Sequence, residues 1–215
     1  MSKYDLSFSP PIMNAAGFLG FSPSTHSSLD LSQLGAFVTN PVSLEPRTPA
    51  GGTRCISFPG GFLLHTGHPN PGLKSVINRH SVRWKRSNIP IIVHVLGQGI
   101  DETARVIHKL EEIEGVGGVE LGLPPGIDPS SATALVRAAR GEFPLIVRLP
   151  LEDAQGFTRV LKESDVSAFS LSAPRGALLD SEKKLVYGRI YGPALFPQVL
   201  ASVKTLARGG VPIIA

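Results

Sequence analysis

The feature of this sequence that most constrains its fold is a regular alternation of short apolar segments and amphipathic segments from about residue 89 onward. Strand-like apolar runs begin near residues 91, 118, 144 and 167, so that successive runs are 27, 26 and 23 residues apart. Each interval has room for one helix and its two connections, which is typical of repeated βα units around a parallel sheet. The sequence therefore predicts an α/β domain with parallel strands.

The intervals between these runs carry helix signals. Asp128 is followed by Pro129, an N-cap residue with proline in the first helical position. Apolar residues then recur at helical spacing at positions 132, 135, 136 and 139, until Gly141. Two earlier segments, 11–14 and 36–39, and the terminal run 211–215 bring the candidate strands to seven. Seven such strands favour a (β/α)8 TIM-type barrel, with an open nucleotide-binding sheet as the alternative.

The segment from about residue 41 to 78 does not follow this spacing. It is rich in proline and glycine and is too long for an ordinary connection, so it is either a functional loop or a structural lid. In a barrel it would lie at the C-terminal ends of the strands, where active sites are built. His65 and His68 flank Gly67 in this segment and could share a metal, act as an acid–base pair, or be surface or loop-packing residues. His94, inside an apolar strand, is interpreted as a core residue.

Composition narrows the classes of function. The net charge of +4 is a small excess, and we expect neither a nucleic-acid nor a membrane partner. No apolar run approaches the roughly 18–20 residues of a membrane span, and the first ten residues lack the apolar centre of a secretory signal. A cytoplasmic protein is expected. The single cysteine, Cys55, excludes an internal disulfide and a multi-cysteine metal site, and we expect no metal.

Nine short motifs then point to a family. They are Pro11-Ile-Met-Asn-Ala-Ala-Gly17, Gly35-Ala-Phe-Val-Thr39, Leu44-Glu-Pro-Arg47, Phe58-Pro-Gly-Gly-Phe62, Gly67-His-Pro-Asn-Pro-Gly72, Val119-Glu-Leu121, Ile146-Val-Arg-Leu149, Leu171-Ser-Ala-Pro-Arg-Gly176 and Tyr191-Gly-Pro-Ala-Leu195. In order and spacing they resemble the dihydroorotate dehydrogenase family, above all the class with a separate electron-transfer subunit. The resemblance implies an FMN-dependent oxidoreductase of pyrimidine biosynthesis, built as one barrel domain over residues 1–215.

The resemblance also implies site residues. Cofactor-binding positions are Ala15, Ala16, Gly17, Asn40, Arg148 and Gly192, and substrate-binding positions are His65, Gly67, Asn70 and Ser172. Asn40 and Arg148 stand where the family has flavin-binding lysines, so that one charge is lost and the other changes its geometry. His65 and Ser172 stand where the family has asparagines that bind the substrate.

The departures from the family pattern bear directly on catalysis. Gly122 and Ile127 stand where two asparagines are expected, and Pro125 occupies the position of the catalytic base. Proline has no ionisable group, so this position cannot remove a substrate proton. The expected alternative to a divergent flavoenzyme is thus a catalytically degenerate barrel that binds a ligand or a subunit.

The sequence stops at Ala215, where the family's seventh strand ends. The phosphate-binding loop and the eighth strand would follow in the family. We therefore expect a barrel truncated after the seventh strand, and a homo-oligomer or a partner chain that completes it. A small molecule is the expected substrate.

Overall fold

A parallel sheet of six strands forms the centre of this computed structural model, which describes residues 6, 8–24 and 29–215. Its strands are β1 (Phe37–Val38), β4 (Ile91–Leu96), β5 (Val116–Gly122), β6 (Leu145–Pro150), β7 (Ala168–Ser172) and β10 (Ile213–Ile214), which lie side by side in chain order. Met13 adds a parallel bridge to Ala36, so all seven predicted strand segments lie in this sheet. An open nucleotide-binding sheet reverses its strand order, whereas this sheet does not. The predicted barrel-type α/β fold is confirmed.

Most of the first ten residues, on which the expectation about a secretory signal rests, lie outside the described residues. Within the described part of the chain, no helix is both long enough and apolar enough to cross a membrane.

Helices cover the outer face of the parallel sheet. They are α1 (Leu73–Lys85), α2 (Ile100–Glu111), α3 (Pro129–Ala138), α4 (Ala154–Leu161) and α5 (Phe196–Leu206). The side chain of Asp128 caps α3 by accepting hydrogen bonds from the backbone N–H groups of Ser130 and Ser131, as its sequence position predicted. The main hydrophobic core lies between these helices and the outward-facing strand residues, such as Val93 and Val147.

The inner face of the sheet has two layers, because side chains alternate between the faces of a strand. The lower layer is apolar and mostly small, and comprises Ala36, Val38, Ile92, Ile146 and Ala168, with Ala16 packed against them. Two residues further along four neighbouring strands lie His94, Glu120, Arg148 and Ser170, which form the polar layer. The polar layer therefore lies towards the C-terminal ends of the strands.

A second, antiparallel sheet is built from two connections, of which the first, residues 41–78, was predicted to be a loop or a lid. It contains β2 (Cys55–Phe58), β3 (Gly61–Leu64), β9 (Leu185–Tyr191) and β8 (Arg175–Leu179), in that order. The interpretation of residues 41–78 as a loop was thus wrong for the β2–β3 hairpin and for the start of α1. Proline and glycine mark the turns, but β3 is stabilised by pairing with β9, more than 120 residues away, which no local pattern reveals.

The antiparallel sheet lies at the C-terminal end of the parallel sheet, because its strands follow β1 and β7. Arg189 of β9 donates hydrogen bonds of 2.7 Å to the hydroxyl of Ser172 and to the carbonyl of Ala173. We call the region between this contact and the polar layer the barrel mouth. Residues 41–78 therefore lie at the end of the sheet where the sequence placed them.

Candidate functional site

The polar layer centres on the buried carboxylate of Glu120. Nδ1 of His94 lies 2.5 Å from one carboxylate oxygen, and the hydroxyl of Ser170 donates to the other at 2.5 Å. Arg148 approaches the same carboxylate at 3.9 Å. The side chains of His94 and Glu120 are only 3% and 4% exposed, so these contacts operate away from bulk water. A buried carboxylate requires such partners to remain ionised.

One arrangement of protons accounts for the ionisation of this pair. Burial favours the uncharged form of Glu120, but His94, Arg148 and Ser170 outweigh it and lower the pKa of the carboxyl to about 2. Burial lowers the pKa of His94 and outweighs the opposing effect of Glu120. At neutral pH we therefore assign an ionised Glu120 and a neutral His94 that donates its Nδ1–H. The carboxylate of Glu120 is then stabilised by the hydrogen bond from His94, rather than by a full imidazolium charge, together with the charge of Arg148.

The second ring nitrogen of His94 faces the position of Gly122. A Cβ atom at residue 122 would lie 2.9 Å from this Nε2 and 3.1 Å from the adjacent ring carbon. The imidazole thus fills the space of a side chain at Gly122, and the glycine makes room for it. Nε2 has no hydrogen-bond partner among the described residues. Among the fully buried polar side-chain atoms of the described residues, only Oγ1 of Thr103 lacks a hydrogen-bond partner. Because Nε2 of His94 also lacks a partner but is not fully buried in this sense, it is not sealed from solvent.

Positive charge accumulates around the barrel mouth. Arg148 is 15% exposed, and its guanidinium makes no hydrogen bond within the described part of the chain. Burial, and then the charges of Arg148 and Arg175, lower the pKa of the half-buried Arg189. Surrounding protein atoms, and then His94, Arg189 and Arg148, lower the pKa of His68 to about 4, although its ring remains open to solvent. Arginine groups this close together favour an anionic ligand.

Three of the predicted cofactor residues, at positions 15–17, differ in their exposure. Ala16 is buried in the inner apolar layer, whereas Ala15 and Gly17 are exposed. The amide of Asn14, which sequence reasoning missed, sets their position: it donates to the carbonyl of Val38 at 2.7 Å and accepts from its N–H at 2.9 Å. The side chain of Asn14 thus pairs with the backbone of Val38 in the way that a neighbouring strand would. This pairing places residues 15–17 near the end of β1.

Asn40 and Gly192 already have roles within the protein. The side-chain oxygen of Asn40 accepts from the N–H of Gly20 at 3.1 Å, while its side-chain nitrogen has no partner among the described residues. A Cβ atom at Gly192 would lie 2.1 Å from the carbonyl oxygen of Gly60, so this glycine permits close packing against the β2–β3 turn. Arg148 is the predicted cofactor residue that lies directly in the polar layer.

Three of the predicted substrate residues belong to the connection after β1. His65 is exposed, and Gly67 has a φ of +75° and packs against Ala50. Asn70 uses all four of its hydrogen-bonding positions, with Ser43, His68 and Gly72 as partners. Its amide therefore has no capacity left for a ligand in this conformation. That these residues bind substrate stays a prediction.

Ser172 and Pro125 belong to different parts of the chain's structure, a strand end and a loop. Ser172 ends β7 at the barrel mouth, where its hydroxyl donates to the carbonyl of Leu149 at 3.0 Å and accepts from Arg189. Pro125 is exposed in the loop that precedes α3. The residues that the structure brings together at the mouth are thus Arg148 and Ser172 from the prediction, and His94, Glu120 and Arg189 in addition.

The sequence did hold a signal for His94 and Glu120. Both occupy inward positions of neighbouring parallel strands, and the register pairs them directly. The signal was ambiguous, since a single histidine in an apolar strand is compatible with either face until the register is known.

The described residues contain neither a second chemical centre nor a metal site. An open cavity of about 740 Å³ lies outside the barrel between the loops after β5 and β6 and helix α5, and is lined by residues including Ile127, Leu151, Phe157 and Leu206. It holds none of the polar layer. Within the described ranges no group of three histidine, cysteine or acidic side chains is placed to hold a metal ion. We therefore assign the candidate site to the barrel mouth.

Comparison with known proteins agrees with this architecture. The dihydroorotate dehydrogenase family model matches residues 2–125. The chain is 28% identical to the catalytic subunit of dihydroorotate dehydrogenase B (NAD(+)) from Desulforudis audaxviator, over 92% of this chain and 71% of that protein. It is 31% identical to the same subunit from Pelobacter propionicus, over 95% of this chain and 74% of the relative.

A solved structure shares the fold. The crystal structure of dihydroorotate dehydrogenase from Eimeria tenella, in complex with ferulenol, superposes with a TM-score of 0.65 at 11% identity. The superposition covers 84% of this chain, which spans 62% of the length of that structure. With the motifs, the parallel sheet and the family match in agreement, this chain belongs to the dihydroorotate dehydrogenase family.

Proposed function

We propose that this chain is a dihydroorotate-dehydrogenase-like oxidoreductase that binds flavin, and that its substrate is an anion other than dihydroorotate. The observation that carries the proposal is the guanidinium of Arg148, which lies in the polar layer and donates no hydrogen bond to a described residue. Five N–H donors beside one carboxylate at 3.9 Å leave capacity for a second anionic partner. Arg189 adds a second cation at the same mouth.

The groups present fit the electron-rich edge of a flavin. Arg148 supplies a charge, and the side-chain nitrogen of Asn40 supplies a free donor. The exposed residues Ala15 and Gly17 follow Asn14, which pairs with Val38 at the end of β1. Flavin, when bound, supplies hydride chemistry, and the protein binds and orients it. FMN is the form that family membership supports. That Gly192 contacts the cofactor stays a prediction, because its close packing already involves Gly60.

Dihydroorotate is a poor candidate substrate. Position 125 is proline, and Gly122, where the family has an asparagine, borders His94 instead. A site without the positioned base and without the amides that bind the substrate lacks both proton removal and recognition. The substrate we propose is therefore a different small anion.

A second candidate is a binding or subunit-interaction role without catalysis. It is favoured by exposed apolar side chains on α5, where Phe196 is 67% exposed and Leu200 is 58% exposed. The relatives named above are catalytic subunits, which by their names act within an assembly. We propose that this chain also assembles, either with itself or with a partner chain that covers α5.

Two measurements test the proposed function. Purified protein should show the visible absorbance of a flavin, or should bind added FMN with quenching of flavin fluorescence. Arg148→Met keeps much of the bulk and should weaken FMN binding about 10- to 150-fold, as expected when a charge-assisted hydrogen bond worth roughly 1.5–3 kcal/mol is lost.

The matched control is Arg159→Met, because Arg159 is an exposed arginine on the outer helix α4, away from the polar layer. It should leave FMN affinity unchanged. If the wild-type protein neither contains nor binds flavin, the catalytic proposal is wrong and the binding role remains. If Arg148→Met lowers the thermal midpoint but not the affinity, Arg148 is a structural partner of Glu120.

A further inference from the structure

We propose that His94 is the acid–base group of this site: its unpartnered Nε2 accepts a proton from an anionic ligand in the barrel mouth, while Glu120 holds the ring in place. The inference rests on the proposed function to the extent that the mouth must bind an anion. It does not depend on the identity of the cofactor.

The first support is the geometry of the ring. Nδ1 is engaged with Glu120 at 2.5 Å, which fixes both the orientation of the imidazole and the nitrogen that carries its hydrogen. A carboxylate that holds the first nitrogen in this way leaves the second as the proton acceptor. This is the division of roles by which a buried acid orients a catalytic histidine.

The second support is the access of Nε2. The side chain is almost wholly buried, yet this nitrogen has no partner within the described ranges and is not sealed from solvent. It borders Gly122, where any larger residue would approach it to 2.9 Å. A core histidine that served packing alone would be expected to have both nitrogens satisfied. Because residue 122 is glycine, it places no side chain against this nitrogen.

The third support is the charge that surrounds the ring. The titratable and charged groups that act on His94 are Glu120 on β5, Arg148 on β6, Arg189 on β9 and His68 in the connection after β1. Burial, together with the two arginines, lowers the pKa of His94 despite Glu120. The imidazole is therefore neutral at physiological pH, as a proton acceptor must be.

The proton transfer is balanced within the site. A weakly acidic bond to hydrogen in the ligand breaks, its electron pair stays on the ligand, and the hydrogen forms a bond with Nε2. The resulting imidazolium is paired with the carboxylate of Glu120, and the new negative charge on the ligand faces Arg148. His94 would thus supply, from β4, the basic function that proline at position 125 cannot supply.

Nuclear magnetic resonance of the full chain with ¹⁵N-labelled histidine tests this inference, with benzoate as the anionic probe. The resonances of His94 are identified by their loss in His94→Asn, whose amide can still donate to Glu120 but has no counterpart of Nε2. We expect a neutral ring with its hydrogen on Nδ1 and an Nε2 signal that moves when benzoate binds. We also expect benzoate to bind more tightly as the pH is lowered, since the bound anion favours the imidazolium.

Two variants sharpen the result. Gly122→Ala should abolish the response of Nε2 to benzoate while the contact between Nδ1 and Glu120 persists. Gly156→Ala is the matched control, because a Cβ atom at this glycine of α4 would meet nothing within 4 Å and the residue lies outside the polar layer; its response should equal that of wild type.

The outcomes separate this inference from the proposed function. Benzoate that binds in an Arg148-dependent manner without moving the Nε2 signal overturns the role of His94 alone. The same holds if His94→Asn retains the full pH dependence of binding. Absence of any benzoate binding would overturn both the anion site and the role of His94.

Discussion

The guanidinium of Arg189 donates to the hydroxyl of Ser172 at 2.7 Å, and this contact joins the antiparallel sheet to the end of β7. The same nitrogen donates to the carbonyl of Ala173, the next residue along the chain. Ser172 in turn donates to the carbonyl of Leu149 on the neighbouring strand. Two sheets that share no backbone ladder are thus connected through one half-buried arginine.

The first prediction is that Arg189→Met loosens this connection. Hydrogen bonds from a charged group contribute about 1.5–3 kcal/mol, and we expect a loss of this order in the free energy of unfolding measured with urea. Relief of the repulsion between Arg189 and Arg148 should keep the loss at the lower end. Arg175→Met, at an exposed position on β8, should change stability by less than about 0.5 kcal/mol. Equal effects of the two variants would show that the contact contributes nothing.

The second prediction concerns Asn70, whose amide has all its hydrogen-bonding positions engaged. Asn70→Ala leaves buried groups of Ser43 and Gly72 without a partner, and should reduce stability by about 1–3 kcal/mol. Asn78→Ala, at an exposed site on α1, is the matched control and should be nearly neutral. If Asn70→Ala instead keeps its thermal midpoint and loses ligand affinity, the amide binds the ligand, as the family resemblance implied.

The sequence was most informative where structure is local and repeated. Apolar runs separated by capped amphipathic segments predicted the parallel sheet, and Asp128 with Pro129 marked the start of α3. It was least informative where stability comes from distant pairing, as for β3 and β9. Family motifs indicated the importance of Arg148 and Ser172. They gave no sign of Arg189, whose role depends on a sheet that local patterns did not reveal.

His94 shows the same limit at the level of one side chain. Its burial was expected, but its pairing with Glu120 follows from the register of β4 and β5, which places the two residues directly side by side. The glycine at position 122 was interpreted as the loss of an asparagine. In the structure it is also the space into which the imidazole fits.

The third prediction follows because the ring of His94 occupies the space that a side chain at position 122 would need. Gly122→Asn brings a Cβ to within 2.9 Å of Nε2 of His94, and such overpacking should reduce stability by about 1–3 kcal/mol. His94→Ser removes the clash, so part of that loss should be recovered in the double variant. A double-mutant cycle of urea unfolding measures the coupling. Additive effects would mean that the ring and the new side chain do not compete for space.

The fourth prediction is that the stability of the folded protein decreases as the pH is lowered. Because the pKa of His94 is lowered in the folded protein, the unfolded chain binds this proton more readily, and stability should fall as the pH drops below the ordinary value of 6.5. Glu120 has a pKa lowered from 4.5 to about 2, so its contribution is present above pH 4.5 and is lost between 4.5 and 2. His68 adds a further loss between 6.5 and about 4.

Urea unfolding at a series of pH values separates these groups. His94→Asn should make the profile below pH 6.5 less steep, and the slope that remains there should be the contribution of His68. The control is His65→Asn, at an exposed histidine whose side chain makes no hydrogen bond with a described residue. Its profile should match that of wild type. A His94→Asn profile as steep as wild type would contradict the neutral, buried imidazole.

The last prediction concerns dihydroorotate. Loss of a positioned general base typically removes about 10²- to 10⁴-fold in rate, and Pro125 has no group to replace it, so wild-type turnover should be negligible. Gly122→Asn with Pro125→Cys restores two family residues, but the new asparagine meets the ring of His94. We therefore expect turnover only when His94→Ser is added, with dye reduction by dihydroorotate as the measurement. Robust wild-type turnover would show that another residue supplies the base for dihydroorotate, and His94 would be the first candidate to test.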